Sequence, residues 1–269
     1  MIKNYLILCI VFLLNFNGFS QTLSNSKKQL TSGSGSKSSS KSSSNSRNSN
    51  IDPDFFLSLV QVFGYATYGV LIGDYETENE LSYNLNSHPF SVKGRGNYSD
   101  IDTLSTTNFR IDIVNKFLTA GNPVSGNHLD VKIRPSKYFY FTTDWYQLSE
   151  YNIFTKKRDQ LSLYYFNFAY DRVRWESFNL GWTMGASYVG DTVRRGGFCY
   201  GLNTELFLNS KISIQADAKW SRINDAPVNS YQITGKYFKK NYFATIGYER
   251  LKIATPIYNF IGIGAGIYF

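Results

Sequence analysis

The stretch Ile257-Tyr-Asn-Phe-Ile-Gly-Ile-Gly-Ala-Gly-Ile-Tyr-Phe269 decides the fold of this 269-residue chain. Alternate residues counted back from Phe269 are Ile267, Ala265, Ile263 and Ile261. The opposite face carries Tyr268, Gly266, Gly264 and Gly262, with Phe260 and Tyr258 farther in. Successive side chains of a β-strand point to opposite faces. An apolar face opposed to a small-residue face therefore predicts a membrane strand, with lipid on one side and a crowded lumen on the other. Such a strand at the end of the chain points to an all-β fold, a transmembrane antiparallel up-and-down β-barrel in a bacterial outer membrane.

Composition agrees. Aromatics make up 17% of the chain and are nearly all Tyr and Phe, residues that suit strands and interfacial girdles. A mean hydropathy of −0.28 excludes a helical-bundle membrane protein. Lys3, the apolar run Tyr5 to Phe16, and the small residues Gly18 and Ser20 read as a signal peptide over 1–20, cleaved before Gln21. About 12 apolar residues are too few for an uncleaved spanning anchor. Cleavage removes Cys9 and leaves Cys199 alone, so no intramolecular disulfide is expected despite the oxidising destination.

Residues 21–50 are almost wholly small, polar or basic and read as a disordered Ser-rich linker. Its Lys27, Lys28, Lys37, Lys41 and Arg47 suggest a periplasmic tether, or a contact with peptidoglycan or anionic lipid. Residues 51–108 do not fit the barrel pattern. Phe55 to Gly73 is long and apolar, yet interrupted by Ser58, Gln61, Gly64, Thr67 and Gly69. It is expected to pack against the barrel or in its mouth, and 74–108 to form a long loop or plug.

From Phe109 onward the period-two pattern predicts ten strands, near 109–118, 127–135, 137–148, 159–171, 175–189, 197–208, 211–222, 228–238, 241–251 and 257–269. Eight or twelve strands remain open, since 61–73 and 88–98 could form a further hairpin. Pro135-Ser136, Arg172 to Glu176, Asn209-Ser210 and Lys239-Lys240 read as tight turns. Ala120 to Gly126, Ser149 to Arg158, Gly190 to Gly196 and Asn224 to Pro227 read as longer connections on the other side, with Ile253 to Pro256 intermediate. Short turns belong to the periplasmic side, and both ends of an even-stranded barrel lie there.

The strand faces follow from the cost of charge in lipid, about 2–4 kcal/mol for a mid-bilayer Arg or Lys. The charged face is therefore the lumen. Its inventory is Arg110, Asp112, Lys116, Asp130, Lys132, Arg134, Asp144, Glu205, Asp217, Lys219, Lys236 and Glu249, six of each sign. Balanced charge argues for an ion-paired filling rather than a selective pore. Several strands sort cleanly, whereas 159–171 resists sorting. Either Tyr164, Phe166, Phe168 and Tyr170 face inward as an apolar ligand patch, or Leu161, Leu163, Tyr165 and Asn167 do.

Enzyme signals are sparse. His128-Leu129-Asp130 places a His and an Asp on one face, which slightly resembles the Asp/His site of ten-stranded omptin proteases; the paired Asp-x-Asp of that family stands nowhere in the barrel segment 109–269. Ser125 near His128 is the only hint of a Ser–His hydrolase, and His88 has no evident carboxylate partner. No phosphate-binding loop or metal-ligand spacing is present, so no cofactor or metal is expected. The basic runs Lys156-Lys157-Arg158 and Arg194-Arg195 would meet lipopolysaccharide phosphates, and nucleic acid is an improbable partner.

The strand pattern over 109–269, the Tyr and Phe usage and the cleavage site resemble small outer-membrane barrels of Bacteroidota. That resemblance implies a terminal assembly signal, here carried by Gly264, Ile267 and Phe269, and insertion by the barrel-assembly machinery. Gly262 and Ile267 depart from the polar and aromatic residues of the family pattern. No function comes with the resemblance. The leading expectation is a non-enzymatic structural barrel or envelope-complex component. The alternatives are a lipid- or small-solute-handling barrel, narrow or plugged, and a hydrolase with a His128/Asp130 site.

Overall fold

Among the described residues, three short strands precede ten long ones. The short strands β1 (Asn84–Asn86), β2 (Tyr98–Ser99) and β3 (Thr106–Thr107) form a small antiparallel sheet in the order β2-β1-β3. The long strands are β4 (Arg110–Thr119), β5 (Val124–Arg134), β6 (Phe139–Asn152), β7 (Lys157–Arg174), β8 (Phe178–Val189), β9 (Arg195–Asn209), β10 (Ile212–Ile223), β11 (Ala226–Lys239), β12 (Tyr242–Ile253) and β13 (Ile257–Tyr268). Each pairs antiparallel with its neighbours in sequence, and β13 pairs with β4 to close the barrel. The computed structural model describes residues 23–32, 73, 84–92, 96–100, 106–120, 124–152, 156–209 and 211–269. The expected signal peptide, the linker beyond residue 32 and the apolar 55–72 lie outside these.

The strand count is ten, and both barrel ends meet at one mouth, where Ile111 and Phe269 exchange backbone hydrogen bonds of 3.1 and 2.9 Å. We call this the terminal mouth and the opposite one the distal mouth. A twelve-residue strand such as β8, at about 3.3 Å per residue and tilted about 40°, rises about 30 Å. That exceeds the apolar band of an outer membrane. The outer wall is accordingly apolar and aromatic. Phe117, Phe141, Phe166, Phe198, Tyr200, Ile246 and Ile263 are each at least half exposed, and ring stacks such as Trp145 on Tyr164 and Tyr200 on Trp220 continue across strands. The barrel is of the outer-membrane transmembrane type.

Connection lengths differ from the sequence expectation. The distal connections are 120–123, 153–156, 190–194, 224–225 and 254–256, hardly longer than those at the terminal mouth. Residues expected in loops instead extend the strands, so that β7 runs for 18 residues. At Asn224-Asp225 both φ angles are positive, 51° and 62°. Two consecutive left-handed residues make the tight hairpin turn that matches strand twist, in place of the longer loop expected there.

The linker reading fails over its first part. Leu23–Ser32 forms a helix, α1, in the distal mouth. Its buried residues Leu23, Ser26 and Leu30 share one face. Ten residues are fewer than an isolated helix needs, about 12–15, so the barrel must stabilise it. Glu150 accepts the Leu23 N–H at the helix start. At the far end Asn224 Nδ2 donates to the Leu30 carbonyl at 2.9 Å. Each helix end, otherwise short of partners, thus gains a hydrogen-bond partner from the wall. The Ser26 hydroxyl meets the Ile253 carbonyl and the Tyr258 hydroxyl. Leu30→Asp would put a charge into this apolar site and forfeit about 2–3 kcal/mol of burial. It should release α1, seen as faster tryptic cleavage at Lys27 and Lys28 with the barrel itself still protected.

Candidate site in the lumen

The lumen has three tiers, set by what each strand places on its inward face. The terminal tier joins the wall to the small sheet. Arg110 is fully buried; its guanidinium donates to the Asn86 carbonyl, Asn97 Oδ1 and Asp112, at 2.9, 2.9 and 2.7 Å. Asn97 Nδ2 donates to Asn179 and Glu205, both at 3.2 Å. Glu205 also takes the Ser213 hydroxyl at 2.7 Å and the Lys236 ammonium at 2.9 Å. Asp171 is the hub of this tier. It accepts from the Tyr98 hydroxyl at 2.6 Å, Tyr140 at 2.9 Å and Arg134 at 2.9 Å. Burial, then the Asp171 carboxylate, holds the Tyr98 phenol well above its usual range, so it remains a donor. Arg134 also lies 3.5 Å from Asp112 and 3.9 Å over the Tyr140 ring.

The middle tier is centred on His128, which has no exposed surface. Its Nδ1 lies 3.0 Å from Glu249 and its Nε2 3.2 Å from Asp144. Tyr146 stacks on the imidazole at 3.8 Å. Lys116 pairs with Glu249 and Lys219 with Asp144. Lys116 also donates to Gln232 at 2.8 Å. Asp130 faces the lumen and pairs with Lys132 at 3.9 Å rather than with His128. Asp217 accepts from Gln215 at 2.6 Å.

The distal tier is apolar. Leu118, Leu148, Leu161, Leu163, Tyr165 and Leu251 pack with Leu23 and Leu30 of α1 in one buried cluster that includes the free Cys199. The open choice in β7 is thereby decided. Leu161, Leu163, Tyr165 and Asn167 are buried and inward, whereas Phe166 is half exposed on the lipid side.

Sequence reasoning missed Asp171 and Glu150. Asp171 shares the odd-numbered face of Asn167 and was invisible while that strand remained unsorted. Glu150 falls in the expected Ser149–Arg158 connection, yet continues the inward series Asp144, Tyr146, Leu148 because β6 extends to Asn152.

No protein-family model matches the sequence, and no curated protein matches it either. Among solved structures the chain is similar to an outer membrane channel from Pseudomonas putida F1, at 9% identity and a TM-score of 0.35, covering 63% of this chain and 100% of that one. It is similar to the KdgM porin in complex with disordered oligogalacturonate, at 8% identity and a TM-score of 0.35, covering 60% and 99%. It is also similar to Ail, the attachment invasion locus protein of Yersinia pestis, at 11% identity and a TM-score of 0.28, covering 60% and 96%. Similarities at this level assign no function to the chain.

The geometry bears directly on the hydrolase reading. A general base needs a ring nitrogen free to take a proton from a nucleophile or water within reach. Both nitrogens of His128 face carboxylate oxygens, an arrangement satisfied by an imidazolium donating twice. Ser125 is one of the odd-numbered residues of β5, which point away from the face that carries His128. The expected His128/Asp130 site is therefore not assembled: His128 is a cross-link between β6 and β12. His88 sits in a loop with its Nδ1 3.0 Å from the Pro89 carbonyl.

Proposed function

We propose that this integral outer-membrane barrel is a sealed, non-enzymatic component of the envelope, built to hold position and present its ends rather than to conduct or catalyse. The filled lumen supports this reading. Opposite charges neutralise each other at close range through the terminal and middle tiers, α1 covers the distal mouth, and β1–β3 cover the terminal one. A lumenal cavity beside Lys132, Asn203 and Gln215 measures about 20 Å³, room for about one water. Open aqueous channels belong to far wider barrels, of about 16 strands.

In this reading the terminal mouth faces the periplasm. Gly264, Ile267 and Phe269 serve recognition by the barrel-assembly machinery, and residues 33–50 offer a basic tether to peptidoglycan or to an envelope protein complex. The Bacteroidota-type affinity belongs to the same proposal. The test is single-channel recording in planar bilayers, with the full chain and with residues 51–108 deleted. Silence from both is expected, because the middle tier belongs to the barrel wall. Steady conductance steps from the full chain would instead establish the solute-handling alternative.

A further inference from the structure

The outer wall carries a concavity that the sealed-barrel reading does not use. A groove of about 750 Å³ lies across β8–β13, within the usual range for small-molecule sites of about 300–1,000 Å³. Its floor is low because β10 places only Ala216 and Ala218 on the lipid side at mid-height, where β11 places Tyr231 and Ile233 and β9 places Leu202 beside the smaller Thr204. Leu202, Tyr231, Ile233 and Tyr248 stand up around them as walls. The strand register joins these into one surface: Leu202 is opposite Ala218, Ala218 opposite Tyr231, and Tyr231 opposite Arg250.

Of the charged residues along the groove, Asp217 turns its carboxylate to the lumenal Gln215, and the cations stand at the distal end. Arg250 and Lys252 line it there, and Arg222 projects outward from the same rim. Among the described residues none of the three is ion-paired with a carboxylate. Near a membrane interface such cations are tolerated, whereas at the midplane they would not be. An apolar trough that begins at mid-membrane and ends under cations matches one kind of molecule. That molecule has a hydrocarbon chain at one end and phosphate at the interface.

We propose that this groove binds a phosphorylated, multiply acylated lipid of the distal leaflet, one acyl chain lying over Ala216 and Ala218 and a phosphate held by Arg250 and Lys252. The orientation rests on the reading above, in which the distal mouth faces the cell surface; the lipid class there is lipid A. Bidentate guanidinium–phosphate contact is the strongest bond available at the rim.

Native mass spectrometry of the folded full chain tests this, with diphosphoryl lipid A, phosphatidylcholine and inorganic phosphate as separate probes. Lipid A adducts should survive activation that strips phosphatidylcholine. They should fall roughly tenfold in R250Q/K252Q, which removes two charge-assisted contacts, and also in A218F, which fills the trough. Heat-modifiable electrophoretic migration in phosphatidylcholine vesicles checks that each variant is folded. No preference for lipid A in the wild type overturns the site. So does loss in R250Q/K252Q with full binding in A218F, which would mean charge attraction without a groove, and so does equal retention of inorganic phosphate. Failure of the wild type to fold in vesicles would count against the barrel reading and not against the groove.

Discussion

Glu249→Leu should destabilise the barrel by about 3–5 kcal/mol, the cost of stripping one partner from a buried charge cluster. Glu249 is fully buried and serves both His128 and Lys116. Without it two cationic donors face an apolar side chain inside the lumen, beyond the reach of bulk water. The expected measurement is chemical unfolding in phospholipid vesicles followed by tryptophan emission. A companion variant separates cluster from residue. Replacing Lys116, His128 and Glu249 together with Met, Leu and Leu removes the stranded charges and leaves Asp144 paired with Lys219. This triple variant should recover most of the loss, since apolar replacement of a whole buried ion cluster is often near neutral. A loss below about 1 kcal/mol for Glu249→Leu, the size of an ordinary surface pair, would refute the account of a mutually dependent middle tier.

Gly264→Val should cut the folded yield at least about tenfold, by overpacking that backbone cannot relieve. Gly264 lies on β13 opposite Lys116 of β4, on the seam that closes the barrel. A Cβ there would overlap the Asn115 carbonyl oxygen and press on the Lys116 Cα. The glycine therefore serves close strand approach under a bulky lumenal neighbour. Gly235→Val is the control: its added Cβ meets only Ile246 atoms, at 3.7 Å or more, and should fold normally. Refolding of purified chain without any assembly machinery keeps this packing effect apart from recognition of the terminal signal. Equal yields for the two variants would refute it.

How far the fold was legible follows from where its information resides. Period-two alternation is local, and a strand with one polar face shows it within its own dozen residues. Ser213, Gln215 and Lys219 sort inward against Ile214, Ala216 and Trp220 with no knowledge of neighbours. The one strand left unsorted, β7, is apolar on both faces, because its inner face meets the distal cluster while its outer face meets lipid. Hydrophobicity cannot separate two apolar surroundings. The bulge between Asp171 and Val173 further disturbs the alternation there. The helix α1 was illegible for a related reason. Its two leucines are diluted by Ser, Asn and Lys, and its ends are satisfied by Glu150 and Asn224, residues more than a hundred positions away.

The lumenal site divides the same way. That charge must face inward was readable from the cost of placing it in lipid, a one-body energy that each residue carries alone. Which charges meet is a two-body matter, set by strand order and register around a closed circle. Asp130 follows His128 by two residues on the same face, yet His128 is held by Asp144 across one strand pair and by Glu249 across the barrel seam. The chain's alternation thus determined a barrel and its inward charge, while closure settled the count at ten strands. Tertiary closure alone decided that His128 would be enclosed between carboxylates, that Asp171 would hold the small sheet, and that α1 would cover the distal mouth.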